Sequence, residues 1–386
     1  MKLNPPNSAV LLARVEVPGI GPSVATIRDN TVFDITSDRA PTSRDICELD
    51  DPAGHVAKSD GAPLGSLSEI SANSVEPGRP TTGVRFLAPC DLQVVKACGV
   101  TFAGSMVERV IEERAGGDPA LAEDIRRRIG ERIGTELKNI NPGSARASEV
   151  KKALLREGLW SQYLEVGIGP DAEIFTKCPV MSSVGPGAKV GIHPNSRWNN
   201  PEPELVLVVN SNGRIVGVSL GNDVNLRDFE GRSALLLGKS KDNNASSAIG
   251  PFIRLLDRNF TLDDVRRMNI RMRIEGKDGF VLDDTCRMAE ISRNPEDLVK
   301  QTMNVNHSYP DGFVLFCGTP FAPTEDRDFP GEGFTHHVGD TVAIEAPEVG
   351  RLVNEVDLCG SCRRWDFSAS HLMRNLAQRG LLGADH

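Results

Sequence analysis

The chain has 386 residues, 39% of them hydrophobic and 25% charged, as expected of a globular protein with room for a sizeable core. A formal net charge of −9, with no Lys/Arg block resembling a basic patch, excludes an obvious nucleic-acid binder. No apolar run reaches the roughly 18 residues of a membrane span.

At about 150 residues per domain, the length predicts two or three domains, or one large domain with an appendage. The start, MKLNPPNSAVLLARVEVPG, has a short apolar stretch followed by charge and makes a poor signal peptide. The eight cysteines are too scattered for a disulfide scaffold. Cys359-Gly-Ser-Cys362 has CxxC spacing without a second such pair, so ordinary thiols are favoured over a zinc or redox site. A cytoplasmic location is expected.

Taken in chain order, AVLLARVEV and SVATIRDNTVFDIT alternate apolar and polar residues and predict short strands. The Pro/Gly/Ser-rich stretch GAPLGSLSEISANSVEPGRPTTG then closes a small N-terminal β domain over 1–88. A larger domain follows over 89–386, opening with the buried-strand pattern LQVVKACGV. Helical patterns cover Ser105 to Arg114, then DPALAEDIRRRIGERIGTELKNI with Asp118-Pro119 as its start, then SEVKKALLREGLWSQYL. They make a helical insertion over 103–163. From about residue 165 the chain reads as short strands and turns through GDTVAIEAP, and SASHLMRNLAQRGLLG forms a closing helix. The fold class is α+β, mostly β.

One stretch carries chemistry: NNPEPELVLVVNSNGRIVGVSLGNDVNLRDFEG. In a strand, residues two apart share a face, so Glu202 and Glu204 project together and repel. Asn212-Gly213 is a hairpin signal, and a turn there places Glu202 opposite Asp223; a longer loop such as Asn210–Gly213 shifts this by a pair and still returns Asp223 to the same end. Three carboxylates then converge at one end of a hairpin. Such oxygen ligation suits Mg²⁺, with Mn²⁺ or Ca²⁺ as alternatives. Solvated acidic residues at a strand edge remain the other reading.

The order E-x-E, hairpin, N-D-x-x-x-R-D resembles the metal site of the fumarylacetoacetate hydrolase superfamily. The likeness continues through Leu237-Gly238-Lys239-Ser240, Gly250-Pro251, Gly318-Thr319-Pro320 and Val338-Gly339-Asp340-Thr341-Val342. It implies a mixed β-roll catalytic domain with one divalent metal on Glu202, Glu204 and Asp223. It further implies that Arg227, Thr319 and Lys177 bind substrate, and that Lys239 polarises or protonates the reacting oxygen.

The departures are informative. Hydrolases of the family carry a histidine and, three residues on, a glutamate in a lid after the first strand. Here Ser105 stands in place of that histidine and only Glu108 remains; Glu230 stands where the hydrolases carry glutamine. Removing the histidine takes away the base for water, and Glu230 supplies a new proton acceptor. Both changes resemble the branch that dehydrates 2-keto-3-deoxy sugar acids. That implies removal of water from a 2-keto-3-deoxypentonate (D-xylonate or D-arabinonate type) to give 2,5-dioxopentanoate, via a metal-stabilised enolate. Glu108, Glu230 and Lys239 then become the catalytic candidates, with Ser105 near the substrate. The expected partner is a small 2-oxo sugar acid, with no nucleic acid and no membrane, in a homodimer or homotetramer. The rival readings are an acylpyruvate or 2,4-diketo-acid hydrolase, a decarboxylase or isomerase, and a non-catalytic sugar-acid binder.

Overall fold

The computed structural model describes residues 1–75, 82–127, 137, 140–320, 323–331 and 333–382. Its strands are β1 (Leu11–Val17), β2 (Gly21–Arg28), β3 (Thr31–Asp34), β4 (Ala62–Ser66), β5 (Arg85–Phe86), β6 (Val94–Gly99), β7 (Glu173–Cys178), β8 (Lys189–Ile192) and β9 (Asn199–Asn200). They continue with β10 (Pro203–Val209), β11 (Ile215–Asp223), β12 (Asn225–Leu226), β13 (Ser247–Leu255), β14 (Asn269–Glu275), β15 (Val281–Arg287), β16 (Phe313–Phe316), β17 (Thr341–Ala346) and β18 (Gly350–Leu358).

The large sheet runs β4-β3-β2-β1-β13-β11-β10-β16-β6-β7, with β5 beside β1. A five-stranded sheet runs β15-β14-β17-β18-β8. The near-continuous apolar run of β10 is buried on both faces. Leu205, Leu207 and Val209 pack with Ile270, Met272, Ile344 and Leu352 of the second sheet. Val206 and Val208 point the other way, into a core shared with Ile46 and Val56. That alternation follows the two-residue period of a strand.

Pairing of β1 with β13 (Leu11 with Arg254, Leu12 with Ile253) joins the N-terminal strands to the large sheet. The first 90 residues also contain helices that strand-and-turn reading missed: Ser43–Glu48, Pro52–Lys58 and Leu67–Ser74. Each is too short to show a helical period. Their caps were nonetheless present: Thr42 with Asp45, Asp51 before Pro52, and Ser66 accepting from the Glu69 N–H. Residues 62–74 of the Pro/Gly/Ser-rich stretch therefore form a strand and a helix, because Leu67 and Ile70 have an apolar surface to cover.

The insertion is helical where described: Ala103–Ala115, Pro119–Ile125, Ala145–Arg156 and Gln162–Ile168. Asp118 caps the second helix as predicted, and most of its expected continuation past Arg127 lies outside the described residues. The third predicted helix is two, interrupted at Gly158, whose φ of +67° ends the first. Of these four helices, the first, third and fourth share an apolar core built on Met106, Val110, Val150, Leu154, Leu164 and Ile168, while Ala122 of the second packs with Ile111, Ala115 and Trp198. No described helix is long and apolar enough to cross a membrane.

Candidate functional site

The hairpin β10–β11 builds the site. Pro203 pairs with Asn222 and Glu204 with Gly221, and the Asp223 N–H donates to the Glu202 carbonyl at 3.0 Å. This is the register expected from a turn at Asn212-Gly213. The loop is in fact longer, with Gly213 N–H donating to the Asn210 carbonyl, and a bulge between Val208 and Val209 restores the register. Ligand atoms of Glu202, Glu204 and Asp223 consequently lie within 4.8 Å of one another, and all three residues are buried.

Cations surround most of this charge. The Lys241 ammonium bonds both Glu202 and Asp223, the latter at 3.1 Å. Lys177, fully buried, lies 2.9 Å from the other Asp223 oxygen and also donates to the Lys241 carbonyl. Arg109, from the helix Ala103–Ala115, donates to Glu202, and Asn225 donates to the same oxygen at 3.2 Å. Burial alone would raise the Asp223 carboxyl; Lys177 and Lys241 outweigh it and hold it below its usual range.

Glu204 is different. Among the described residues its one hydrogen bond comes from the Gly318 N–H at 2.6 Å, offered by a left-handed glycine at φ +85°. No side-chain cation pairs with it among the described residues. Burial, then Asp223 and Glu202, push its carboxyl well above the ordinary value. A buried carboxylate in such surroundings calls for a positive charge. The hard oxygen donors and this unbalanced charge fit a divalent cation on the three carboxylates.

Beside them lies a cavity of about 20 Å³, lined by Ser105, Arg109, Glu173, Glu230, Lys241 and Thr319 together with Glu202 and Glu204. None of the described histidines lines it. Glu230 is 2.9 Å from Arg109, which also holds Glu112 at 2.6 Å. Glu173 starts β7 opposite Gly99, where a Cβ would stand 2.0 Å from its carboxylate, so glycine makes room for it. Burial, then Glu230, raises the Glu173 carboxyl to about 7.

Of the residues singled out from sequence, Glu202, Glu204, Asp223, Glu230, Ser105 and Thr319 meet here. Lys177 sits behind Asp223 rather than on the cavity. Arg227 is buried outside it, stacked 4.2 Å over Trp198, bonded to Glu112 at 2.6 Å and to the Pro323 carbonyl at 2.9 Å. Glu108 faces Arg126 at 2.7 Å and Arg227 at 3.5 Å, also outside the cavity. Lys239 is exposed against the Phe229 ring, and the lysine among the carboxylates is Lys241. Both lysines fall in the one-turn helix Leu237–Lys241, where two positions mean about 200° of rotation.

Sequence reasoning also passed over Arg109, Glu112 and Glu173. Arg109 and Glu112 were visible only as part of an Arg/Glu-rich helix. Glu173 carried only its place at the head of a strand.

The model of the fumarylacetoacetate (FAA) hydrolase C-terminal family matches residues 165–357. A probable 2-keto-3-deoxyxylonate dehydratase of Haloferax volcanii is 30% identical over 194 residues, covering 50% of this chain and 63% of its own. A 2-dehydro-3-deoxy-D-arabinonate dehydratase of Saccharolobus solfataricus is 29% identical over 187 residues, covering 48% and 58%. The chain thus spans less than two thirds of the length of either relative. A solved 2-keto-3-deoxy-D-arabinonate dehydratase, complexed with magnesium and 2,5-dioxopentanoate, is similar over 92% of this chain and 100% of its own. Its TM-score of 0.62 at 21% identity is a likeness of fold. With half of its length matched by the family model, and with the carboxylate hairpin inside that match, the chain belongs to the fumarylacetoacetate hydrolase family.

Proposed function

We propose that the protein is a metal-dependent dehydratase that removes water from a 2-keto-3-deoxypentonate, of the D-xylonate or D-arabinonate type, and yields 2,5-dioxopentanoate. The observation that carries this reading is the cavity: Glu173 and Glu230 face it beside the buried carboxylates, and none of the described histidines lines it to activate water for hydrolysis. The names of the two relatives, and the magnesium and 2,5-dioxopentanoate held by the structural relative, support it.

Glu202, Glu204 and Asp223 would hold Mg²⁺, with Mn²⁺ or Ca²⁺ as alternatives. A bound dication would supply Lewis-acid polarisation of the 2-oxo group. Glu230, set against Arg109, takes a proton from C3. Glu173, raised to about 7, keeps a proton near neutrality and gives it to the C4 hydroxyl, which leaves as water. The electrons of the C3–H bond form the C3–C4 double bond. A proton then moves from C5 to C3, and the resulting C4–C5 enol becomes the aldehyde as C4 gains a proton and the C5 hydroxyl loses one.

The hydroxyls of Ser105 and Thr319 serve the substrate's polar groups from the cavity wall. Lys177 and Lys241 hold Asp223 and Glu202 in place, and Arg227 anchors the insertion through Glu112. Glu108 and Lys239, outside the cavity, receive no proton-transfer step. Helices within 103–163 act as a lid over bound substrate. We read 1–88 and 89–386 as the two domains, and the assembly as a homodimer or homotetramer. The eight free cysteines suit a reducing, cytoplasmic compartment.

The test is purified protein with 2-keto-3-deoxy-D-xylonate and Mg²⁺, with and without EDTA, the aldehyde followed by a coupled dehydrogenase. Metal-dependent aldehyde formation is the expected result. Pyruvate release from an acylpyruvate, without aldehyde formation from the pentonate, would replace this reading with a hydrolase.

A further inference from the structure

Arg109 ties the insertion to the carboxylate hairpin. It lies in the helix Ala103–Ala115, is 8% exposed, and lines the cavity. Its guanidinium spans three acids: Glu202, Glu112 at 2.6 Å and Glu230 at 2.9 Å. Only Glu202 among them belongs to the carboxylate triad, and it is 93 positions away in the chain.

Both oxygens of Glu202 are engaged. One accepts from Lys241, the other from Arg109 and Asn225. A dication on Glu202 must draw on an oxygen that a cation already holds. Lys241 is the harder of the two to move, because it also bonds Asp223 from a segment packed on the hairpin side. Arg109 is the easier: its helix belongs to the insertion, and Glu112 and Glu230 retain it when the Glu202 bond is lost. A guanidinium so released still faces the cavity, with a planar fork of N–H donors that matches a carboxylate.

We propose that Arg109 competes with the divalent cation for Glu202 and, once displaced, binds the carboxylate of the 2-oxo acid. This rests on the proposed function for the substrate and on the triad alone for the competition. Arg109 thereby makes the insertion responsive to metal: with Glu202 unligated the helix is pinned to the hairpin, and with Glu202 ligated its cation is turned to the substrate.

The experiment is a Mn²⁺ titration of the full chain by calorimetry, without substrate, on the wild type, Arg109→Gln and Arg109→Lys. Removing one unit charge at ion-pair distance should tighten Mn²⁺ binding about 10-fold in Arg109→Gln. Arg109→Lys keeps the charge but loses the fork and some reach, and should tighten it about 3-fold. Should the Gln variant not fold, the Lys variant carries the test. Unchanged or weaker Mn²⁺ binding in the folded variants overturns the competition. At saturating Mn²⁺, KM for the pentonate should rise about 10-fold in Arg109→Gln; an unchanged KM overturns the substrate contact. Tighter Mn²⁺ binding by a protein that does not dehydrate the pentonate overturns the proposed activity and leaves the competition standing.

Discussion

The hairpin β10–β11 and the helix Ala103–Ala115 supply charge to the same cavity by opposite physical means. Between Pro203 and Asp223 the hairpin strands are buried throughout, and a backbone ladder sets the positions of Glu204 and Asp223. The helix instead meets the hairpin side through side-chain ion pairs: Arg109 to Glu202 and Glu230, and Glu112 to Arg227. A ladder has many cooperating bonds and one register. A buried ion-pair cluster holds strongly while every partner is present and fails when one is removed. The hairpin is thus suited to keeping a fixed ligand set, and the helix to exchanging partners.

Mutations at the hairpin should give the largest effect on function. Asp223→Ala or Glu204→Ala should remove metal binding and lower turnover at least ~10³-fold, read by Mn²⁺ calorimetry and the coupled assay. Full activity of either variant in EDTA would place the metal site elsewhere.

On the helix, Glu112→Ala leaves Arg109 and Arg227 without their shared carboxylate. Buried guanidinium groups stripped of a partner predict a loss of about 3–5 kcal/mol in denaturant unfolding, with metal affinity largely kept. A loss below about 1 kcal/mol would mean that the ion pairs do not secure the helix.

Between the two regions, Glu173→Gln should cut kcat about 100-fold and leave Mn²⁺ binding unchanged. The sign of the pH effect follows from the raised carboxyl: it is protonated below about 7 and loses its proton above. As the proposed proton donor, it makes wild-type kcat fall as pH rises through about 7. The Gln variant should lack that limb, and a limb persisting unchanged would assign it to another group. Smallest of all, Lys239→Met should alter kcat less than about 2-fold, whereas Lys241→Met should cost on the order of 100-fold. Equal effects would return Lys239 to the site.

The contrast also explains what could be read in the sequence. The hairpin was legible because its partners lie about 20 positions apart and share one turn; the two-residue period then dictates which side chains emerge together. The longer loop did little harm, since the bulge at Val208 and Val209 compensated for it. Glu108 and Arg109 are neighbours in the chain, yet one helical step of about 100° sends them to different surroundings. Glu108 goes to Arg126, and Arg109 to Glu202. The same geometry separates Lys239 from Lys241. Glu173 was overlooked because its significance depends on Gly99 beside it and Glu230 across the cavity, neither of which is near it in the chain.

By itself, then, the sequence determined the carboxylate triad, the mostly β class and the helical insertion, because each arises from local periodicity, caps or a single turn. Only the tertiary structure decided which lysine, which arginine and which additional glutamate face the cavity. Those choices depend on the rotation of short helices and on strand neighbours far apart in the chain. No local pattern encodes such rotations; the packing of one element on another sets them.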